Sequence, residues 1–257
     1  MLVDRGLAAT RAEAARLILA GRVRLGGEPA GNAGRLVRAD AEVERIAASP
    51  FVGRGGEKLA AALDAFGVSP AARTCLDVGA STGGFTDCLL QRGARRVYAI
   101  DVGRGQLHPR LRGDPRVLVL EGVNARYLER LDERPSLATI DVSFISLEKV
   151  LPAVVRCLET TADLVTLVKP QFEVGPGSVG KGGVVRDPRL HREVVLRAAV
   201  FAGTLGLGVA GVVASPLRGP KGNREFFLHL VRGKAGTPEA AVAAAVAHAV
   251  DPEGEAS

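Results

Sequence analysis

The sequence predicts an α/β fold in which a seven-stranded, mostly parallel sheet follows a small α+β domain. Three observations support this prediction. Apolar strand-like runs alternate with helical stretches between residues 58 and 236, which is typical of a doubly wound parallel sheet. A glycine-rich turn joins the first of these runs to a helix. Residues 1–46 have a pattern of their own, and residues 47–57, around Pro50, are predicted to form a linker.

The elements of the larger domain follow from this alternation. A helix is expected from Lys58 to about Phe66. Strands are predicted near residues 75–79, 96–101, 116–121, 137–142, 163–169, 208–214 and 225–232. Further helices are predicted near residues 84–92, 104–112, 147–159 and 187–204, and residues 237–257 are assigned to a C-terminal tail. Because no helical stretch separates the last two strands, we expect them to form an antiparallel pair at the end of the sheet.

The turn after the first strand indicates what this sheet binds. Residues 74–78 are strand-like and lead into the glycine-rich residues 79–84, while the next strand ends at Asp101. Glycine lets backbone amides approach a ligand closely, because it has no side chain. An acidic residue about 20 residues further on suits the two hydroxyls of a ribose. We therefore expect a nucleoside-bearing cofactor at the carboxyl ends of the parallel strands.

The spacing within the turn distinguishes between cofactors. A dinucleotide turn has the order G-x-G-x-x-G, because a pyrophosphate must lie against the helix N-terminus. Here the order is Asp77-x-Gly79-x-x-x-Gly83. Asp77 would repel a pyrophosphate but could hold the ammonium of an amino-acid-like ligand through ordered water. S-adenosylmethionine has that ammonium, a ribose for Asp101 and no phosphate. The pattern therefore predicts a Rossmann-like S-adenosylmethionine methyltransferase fold, in which the last strand is antiparallel.

A second interpretation of the same turn is the nucleophile elbow of an α/β-hydrolase, because Gly79-x-Ser81-x-Gly83 also fits that motif. A hydrolase needs an acid and then a histidine further along the chain. None of the histidines occupies a loop that suits this role; they are His108, His191, His229 and His248. The hydrolase interpretation also leaves Asp77 and Asp101 without a function.

Composition restricts the partners and the compartment. The chain has 257 residues, a net charge of +6 and a pI near 9.6, which favours a polyanionic partner. No run approaches the roughly 18 apolar residues that a membrane helix needs, and residues 1–5 do not resemble a signal peptide. The cysteines, Cys75, Cys88 and Cys157, have no metal-ligand spacing. We expect a cytoplasmic protein with reduced thiols, without a metal site and without a membrane partner.

The N-terminal unit combines a helix, a hairpin and clustered arginines. Thr10 and Glu13 have the spacing of a capping box, and the helix is expected to end at Gly21. Strands are predicted around residues 23–25 and 43–46, with a tight turn at residues 26–27. This pattern resembles the alpha-L RNA-binding domain of the ribosomal protein S-four type. The resemblance implies RNA binding by Arg5, Arg11, Arg16, Arg22 and Arg24, and we add Arg54 in the linker. The competing interpretation is a solvated domain whose arginines balance its own acids.

Charged residues follow or precede several apolar strands of the larger domain, where sheets of this class place their sites. Asp141 follows the run at residues 137–140, and Lys169 follows the run at residues 164–168. Glu225 opens the last strand, and Lys58 opens the helix before the first strand. Most positive charges in this chain are arginines, so a lysine at such a position suggests chemistry that requires loss of a proton. Taken singly, each of these residues could also be a strand-end charge that reaches water.

The motifs together resemble the TlyA/hemolysin-A-type ribosomal RNA methyltransferases, in which an alpha-L domain precedes an FtsJ-like domain. The resemblance covers residues 2–232 and rests on residues 54–59 (RGGEKL), 77–87 (DVGASTGGFTD), 101–107 (DVGRGQL), 141–147 (DVSFISL), 169–173 (KPQFE) and 222–225 (GNRE). It implies methylation of the ribose 2′-hydroxyl of a cytidine in ribosomal RNA with S-adenosylmethionine as cofactor. The catalytic tetrad of the family would fall on Lys58, Asp141, Lys169 and Glu225.

The turn and the strand ends give the expected cofactor contacts, which are Asp77, Gly79, Ala80, Ser81, Thr82, Gly83, Gly84, Phe85, Asp101, Val102, Asn124 and Asp141. Lys169 could take the proton of the ribose hydroxyl or orient it, and the sequence leaves both roles open. Arg104, Gln106 and the glycine-rich residues 175–183 could meet RNA, or the glycine-rich residues could be a flexible connection.

Two alternative functions fit the sequence less well. The chain could be an RNA-binding ribosome-assembly factor on an inactive methyltransferase fold, but the intact Lys169 and Asp141 argue against this interpretation. The hemolysin label of the family would require a membrane-active segment. Residues 240–250 are alanine-rich and helical, but they are too weakly hydrophobic to insert into a bilayer.

Overall fold

The computed structural model describes residues 1–19, 22–30, 34, 36–38, 40–45, 49–175, 177, 179–219, 221–233 and 237–251. The chain divides into two compact units, Met1–Pro50 and Phe51–Ser257. The division falls inside the predicted linker, but residues 51–57 belong to the second unit. Helix α2 (Gly55–Phe66) begins before Lys58, and the Phe51 ring lies so close to Gly56 that a Cβ there would meet the ring at 2.3 Å. Because Phe51 packs on α2, residues 51–57 are part of the second unit, and the predicted linker of residues 47–57 is too long.

The first unit consists of helix α1 (Arg11–Leu19) and a three-stranded antiparallel sheet of β1 (Val23–Leu25), β2 (Glu28–Pro29) and β3 (Val43–Arg45), with β1 in the centre. The amide of Glu13 donates to Thr10 Oγ1 at 3.1 Å, and the amide of Ala9 donates to the Glu13 carboxylate at 2.8 Å. The capping of α1 by both side chains is therefore present, with Ala9 as the second donor. Gly21 and Ile46, on which other predictions fall, lie outside the described residues.

The core of the first unit is small, and consists of Leu2, Ala8, Leu17, Val23 and Ala30. The tight turn between β1 and β2 has positive φ angles at both of its central residues, +56° at Gly26 and +82° at Gly27. Such a turn matches the twist of a hairpin and favours glycine at both positions.

The second unit contains the predicted seven-stranded sheet. Its strands are β4 (Thr74–Val78), β5 (Arg96–Asp101), β6 (Val117–Glu121), β7 (Leu137–Ile140), β8 (Ala162–Val168), β9 (Leu207–Ala214) and β10 (Phe226–Arg232), in the order β6-β5-β4-β7-β8-β10-β9. Its remaining helices are α3 (Gly84–Gln91), α4 (Pro109–Arg112), α5 (Leu147–Cys157), α6 (Pro170–Glu173), α7 (Pro188–Thr204) and α8 (Glu239–Val250), with 3₁₀ turns at Ala125–Tyr127 and Lys181–Gly183. Strand β10 is antiparallel to both of its neighbours, as predicted.

Helices cover both faces of this sheet. On one face of the sheet, α2, α3 and α4 pack against alternate strand residues such as Cys75 and Val97. The other layer packs α5, α7 and α8 on Leu76 and Ile100. The strand order reverses between β4 and β7, and crevices that bind ligands open at such a point.

Two predicted elements differ from the structure. The helix expected at residues 104–112 is limited to α4, because Gly103 and Gly105 disfavour helix and Pro109 suits only its first turn. The C-terminal residues are not a simple tail. Helix α8 buries Val242, Val246 and Val250 in the core, although its other residues are mostly alanine and gave a weak periodic pattern. Within the described part of the chain, no helix has the length and apolar character needed to cross a membrane.

Candidate active site

A cavity of about 530 Å³ opens at the carboxyl ends of β4, β5 and β7, where the strand order reverses. A volume of this size is typical of a site for a small molecule or cofactor. Half of the predicted cofactor contacts line it, namely Gly79, Ser81, Asp101, Val102, Asn124 and Asp141. Apolar side chains form much of the remaining wall, among them Val123, Ile145 and Val150. The carboxylate of Asp101 and the apolar wall fit the ribose and the adenine of S-adenosylmethionine.

Gly79 allows the ends of β4 and β7 to approach each other. Its φ angle is +88°, and a Cβ at this position would lie 2.3 Å from the carbonyl oxygen of Asp141. The amides of Gly79 and Ala80 both donate to the carbonyl of Ile100, at 2.8 and 3.0 Å. Only glycine can occupy this position without displacing the backbone that carries Asp141.

Asp101 closes the side of the cavity formed by β5. Its carboxylate accepts hydrogen bonds from the amides of Ser81 and Gly103, both at 2.7 Å. These bonds fix the carboxylate beside the turn that follows β4. Each carboxylate oxygen has a second lone pair, so the group can still accept hydrogen bonds from ligand hydroxyls.

Asp77 lies elsewhere than its motif position suggested. Its side chain is fully buried and does not line the cavity; it accepts hydrogen bonds from the hydroxyls of Thr86 at 2.6 Å and Thr139 at 3.2 Å. The expectation that Asp77 holds an ammonium through ordered water is therefore not supported by its position. Burial, with a smaller contribution from the charge of Asp141, raises the pKa of Asp77 to about 7 although the two threonines lower it. The hydrogen bonds of Asp77 therefore link β4 to α3 through Thr86 and to β7 through Thr139.

The raised pKa of Asp77 predicts a pH dependence of stability. Between about pH 4 and pH 7, Asp77 is protonated in the folded protein but ionised in the unfolded chain, where its pKa is near 3.8. The stabilisation is therefore complete below about pH 4 and is lost as the pH rises towards 7. We expect the free energy of unfolding to fall by about 1 kcal/mol or more between pH 5 and pH 7 because of this one residue. Urea unfolding of Asp77→Asn should show a flatter pH dependence over this range, and an unchanged slope would contradict the assignment.

Five other predicted cofactor contacts do not line the cavity. They are Ala80, Thr82, Gly83, Gly84 and Phe85. A Cβ on Gly83 would meet Leu111 at 2.2 Å, and one on Gly84 would meet the Gly56 amide nitrogen at 2.9 Å. The Phe85 ring packs 6.2 Å from the Phe227 ring. The close approach at Gly84 brings α3 onto α2, so the motifs at residues 54–59 and 77–87 pack against each other.

The predicted catalytic residues form two ion pairs. Lys58 Nζ lies 2.5 Å from Glu225 Oε2, and both side chains are buried. Lys169 Nζ lies 2.5 Å from Asp141 Oδ1, with the lysine side chain 12% exposed. Each pair is neutral overall, because it joins one lysine to one carboxylate.

Strand register brings the two ion pairs next to each other. Asp141 follows β7, Lys169 follows β8, and these two strands are parallel neighbours. Phe226 of β10 pairs with Val168 of β8 in the antiparallel part of the sheet. Glu225 and Lys169 therefore occupy adjacent positions on strands about 5 Å apart. The structure thus assembles all four residues, from three strand ends and the first turn of α2.

The residues beyond the tetrad include several that sequence reasoning did not assign. Ser143 lines the cavity and accepts a hydrogen bond from Lys169 Nζ at 3.0 Å. Phe144 is 91% exposed, has a φ angle of +63° and packs its ring 4.9 Å from that of Phe172. Both belong to the motif at residues 141–147, so the motif itself was the available indication. Gln106 also lines the cavity, and its contact with RNA stays a prediction.

Two motif residues hold loops near the site. Glu173 accepts hydrogen bonds from the Leu147 amide at 2.9 Å and the Ser146 hydroxyl at 2.8 Å, and burial raises its pKa. It therefore caps the start of α5. Asn223 is buried, accepts from the Val185 amide at 2.9 Å and donates to the Gly183 carbonyl at 2.9 Å. The glycine-rich residues 175–183 are described without Pro176 and Ser178, and their ordering over a substrate stays a prediction.

The arginines expected to bind RNA are placed as follows. Arg11 and Arg24 are exposed on the first unit, and Arg5 donates a hydrogen bond to the Ala41 carbonyl at 2.7 Å. Arg22 is half-buried, and the side chain of Arg16 lies outside what the structure describes. Arg54, in the second unit, is exposed and donates to the Arg218 carbonyl at 3.4 Å. Exposed guanidinium groups on the first unit are compatible with a phosphate-binding surface.

Comparisons with known proteins agree with this fold. Residues 51–232 match the FtsJ-like methyltransferase family, and residues 1–43 match the S4 domain family. The chain is 54% identical over 233 residues to the 16S/23S rRNA (cytidine-2′-O)-methyltransferase TlyA of Mycobacterium tuberculosis, with 89% of this chain and 87% of the relative covered. It is 40% identical to Hemolysin A of Brachyspira hyodysenteriae, covering 88% of this chain and 95% of the relative.

A solved structure shows the same two-part organisation. The structure described as "Putative hemolysin from Streptococcus thermophilus" aligns with a TM-score of 0.78 and 39% sequence identity, over 99% of this chain and 94% of that one. These similarities confirm the seven-stranded methyltransferase fold and the resemblance of the first unit to the S-four type of RNA-binding domain. The chain belongs to the TlyA/hemolysin A family of FtsJ-like methyltransferases and carries an S4 domain at its N-terminus.

Proposed function

We propose that this methyltransferase transfers a methyl group from S-adenosylmethionine to the 2′-hydroxyl of a cytidine ribose in ribosomal RNA. The observation that carries the proposal is the position of Lys169, whose ammonium lies 2.5 Å from Asp141 at the edge of the cavity. The name of the relative from Mycobacterium tuberculosis specifies the same reaction for that protein. A ribosomal substrate would place this protein in the cytoplasm.

The cavity would hold the cofactor through a few residues of the chain. S-adenosylmethionine supplies a methyl group on a sulfonium, which is an electrophile that a hydroxyl oxygen can attack. Asp101 would accept hydrogen bonds from its ribose, while Val123 and Ile145 would contact its adenine. Gly79 would let the backbone approach its amino-acid portion, since no side chain intervenes.

The tetrad would then position and deprotonate the substrate hydroxyl. A ribose hydroxyl is a weak nucleophile, so fixing its oxygen in line with the methyl group provides much of the acceleration. Lys169 would receive the hydroxyl proton after its ammonium has released one, or would hold the oxygen by a hydrogen bond. Asp141 keeps the lysine at this edge of the cavity, and the Lys58–Glu225 pair supplies a second ammonium close by.

The proposal is tested by transfer of labelled methyl from S-adenosylmethionine to separate small and large ribosomal subunits that lack the modification. Methylated positions should resist alkaline cleavage, because the 2′-oxygen is blocked. Label on a subunit at an alkali-resistant linkage, and its absence with Lys169→Ala, is the expected result. Binding of the cofactor without transfer to any RNA would contradict the proposal and would support an RNA-binding assembly factor.

The first unit is proposed to bind ribosomal RNA through phosphate contacts. Loss of one lysine or arginine contact to phosphate reduces the salt dependence of binding by about one unit on a log–log scale. We therefore expect Arg11→Ala and Arg24→Ala each to weaken RNA binding and to lower this slope, without changing cofactor affinity. Filter binding at several salt concentrations measures the slope. Arg116→Ala, which removes an arginine already paired with Asp114, is the control, and an equal effect of all three changes would contradict the assignment.

A further inference from the structure

We propose that Ser143 is a positioning residue for methyl transfer, because its hydroxyl sets the direction in which the Lys169 ammonium points. The inference rests on the proposed function and extends it to a residue outside the tetrad. It starts from the two neighbours of Lys169 Nζ. Asp141 Oδ1 is the nearer, at 2.5 Å, but among the described residues this oxygen has no partner with hydrogen-bond geometry. Ser143 Oγ lies at 3.0 Å and accepts a hydrogen bond from the ammonium.

The two contacts therefore have different effects on the ammonium. Attraction to a carboxylate depends mainly on distance, so Asp141 holds the charge close without fixing its orientation. A hydrogen bond weakens steeply when its angle departs from linearity, so Ser143 fixes the direction of one N–H group. An ammonium has three N–H groups in fixed relation, and fixing one restricts the other two.

Ser143 also lies where a substrate must come. Its side chain is exposed and lines the cavity that we assign to the cofactor. Lys169 is only 12% exposed and is not part of the cavity wall. The hydroxyl of Ser143 therefore lies between the half-buried Lys169 and the space in which the methyl group and the ribose oxygen would meet.

The backbone around Ser143 is held in one conformation. Phe144 has a φ of +63°, a conformation that costs a non-glycine residue free energy and persists only when its surroundings hold it. The Phe144 ring packs on Phe172, and the Phe172 amide donates to the Lys169 carbonyl at 2.9 Å. The segment of Ser143 and the segment of Lys169 are thus linked twice, by the side-chain hydrogen bond and by the two rings. A strained turn held in this way keeps the Ser143 hydroxyl directed at Lys169.

The test compares Ser143→Ala with Ser143→Thr. Alanine removes the acceptor, and we expect kcat to fall about tenfold or more, with the KM for RNA and the Kd for cofactor little changed, because a hydrogen bond to a charged group is lost. Threonine keeps the hydroxyl and should restore most of kcat. Ser146→Ala is the matched control in the same loop, since Ser146 bonds to Glu173 at the start of α5. This control should lower the melting temperature and leave kcat near the wild-type value.

A second measurement needs no methyl transfer. Reductive methylation with formaldehyde and cyanoborohydride, followed by mass spectrometry, measures how fast each lysine reacts. We expect Lys169 to react faster in Ser143→Ala than in the wild type or Ser143→Thr. Without the Ser143 hydroxyl as acceptor, the Lys169 amino group moves away from Asp141 more readily and becomes accessible to the reagent. Lys149, which is exposed on α5, provides the reference rate within the same molecule.

The outcomes separate this inference from the proposed function. If the wild type methylates no ribosomal RNA, the proposed function fails, while the labelling rates still decide whether Ser143 holds Lys169. Wild-type kcat and an unchanged labelling rate in Ser143→Ala would overturn the inference. It would equally be overturned if threonine were as inactive as alanine and both lowered the melting temperature, because the effect would then be structural.

Discussion

Replacing Lys169 with arginine is expected to abolish turnover while leaving the affinity for the cofactor nearly intact. Arginine keeps the positive charge and can still pair with Asp141, but it does not lose its proton in proteins. Lys169 does not line the cavity, so the contacts proposed for the cofactor remain. If Lys169 takes the hydroxyl proton, or orients the hydroxyl with a compact ammonium, methyl transfer should fall by about 100-fold or more. Single-turnover methyl transfer and calorimetric cofactor binding measure the two quantities.

The control for this change is Lys149→Arg, which makes the same substitution at an exposed lysine of α5. It should leave both quantities unchanged. Substantial methylation by Lys169→Arg would show that a fixed positive charge is sufficient, and would remove Lys169 from any role in proton transfer. Loss of cofactor binding in the same variant would show instead that Lys169 supports the cavity.

The second large effect is expected for Gly79→Ala. The added Cβ would lie 2.3 Å from the carbonyl oxygen of Asp141, and the φ of +88° is unfavourable for alanine. A clash with backbone cannot be relieved by rotating a side chain, so the ends of β4 and β7 must move apart. We expect a loss of about 3 kcal/mol in the free energy of unfolding, together with loss of cofactor binding.

Gly105→Ala is the matched control, because Gly105 also has a positive φ, +70°, but a Cβ there would meet nothing within 4 Å. Its cost should be limited to backbone strain, about 1 kcal/mol. Urea unfolding and calorimetric cofactor binding separate the two variants. Equal effects of the two changes would show that strain, and not the approach to Asp141, explains the glycine at position 79.

The tetrad shows which parts of the site a sequence can predict. Asp141, Lys169 and Glu225 were found because each interrupts or bounds an apolar strand, and the carboxyl ends of parallel strands meet at one edge. The register of β7, β8 and β10 brings these three residues together, and Asp141 forms an ion pair with Lys169. The pairing of Lys58 with Glu225 links residues 167 positions apart in the chain, and only the motif resemblance assigned these two residues to one site.

The outcome for Asp77 shows the limit of motif spacing. Its position before Gly79 indicated a ligand contact, yet its side chain is fully buried between Thr86 and Thr139. Successive side chains of a strand point to opposite faces, and Cys75 and Asp77 share the face covered by α3. The alternation of the strand, and not the spacing of the motif, determines which residues reach the cavity.

By itself, the sequence determined the seven strands, the reversal of the last one and the glycine-rich turn, because these features depend on local periodicity and on backbone conformations that glycine permits. Tertiary structure decided the features that depend on packing between distant segments. It drew residues 51–57 into the second unit, buried one face of α8 and placed Ser143 beside Lys169. The direction of a side chain and the surface that covers a helix result from contacts across the chain, which no local pattern records.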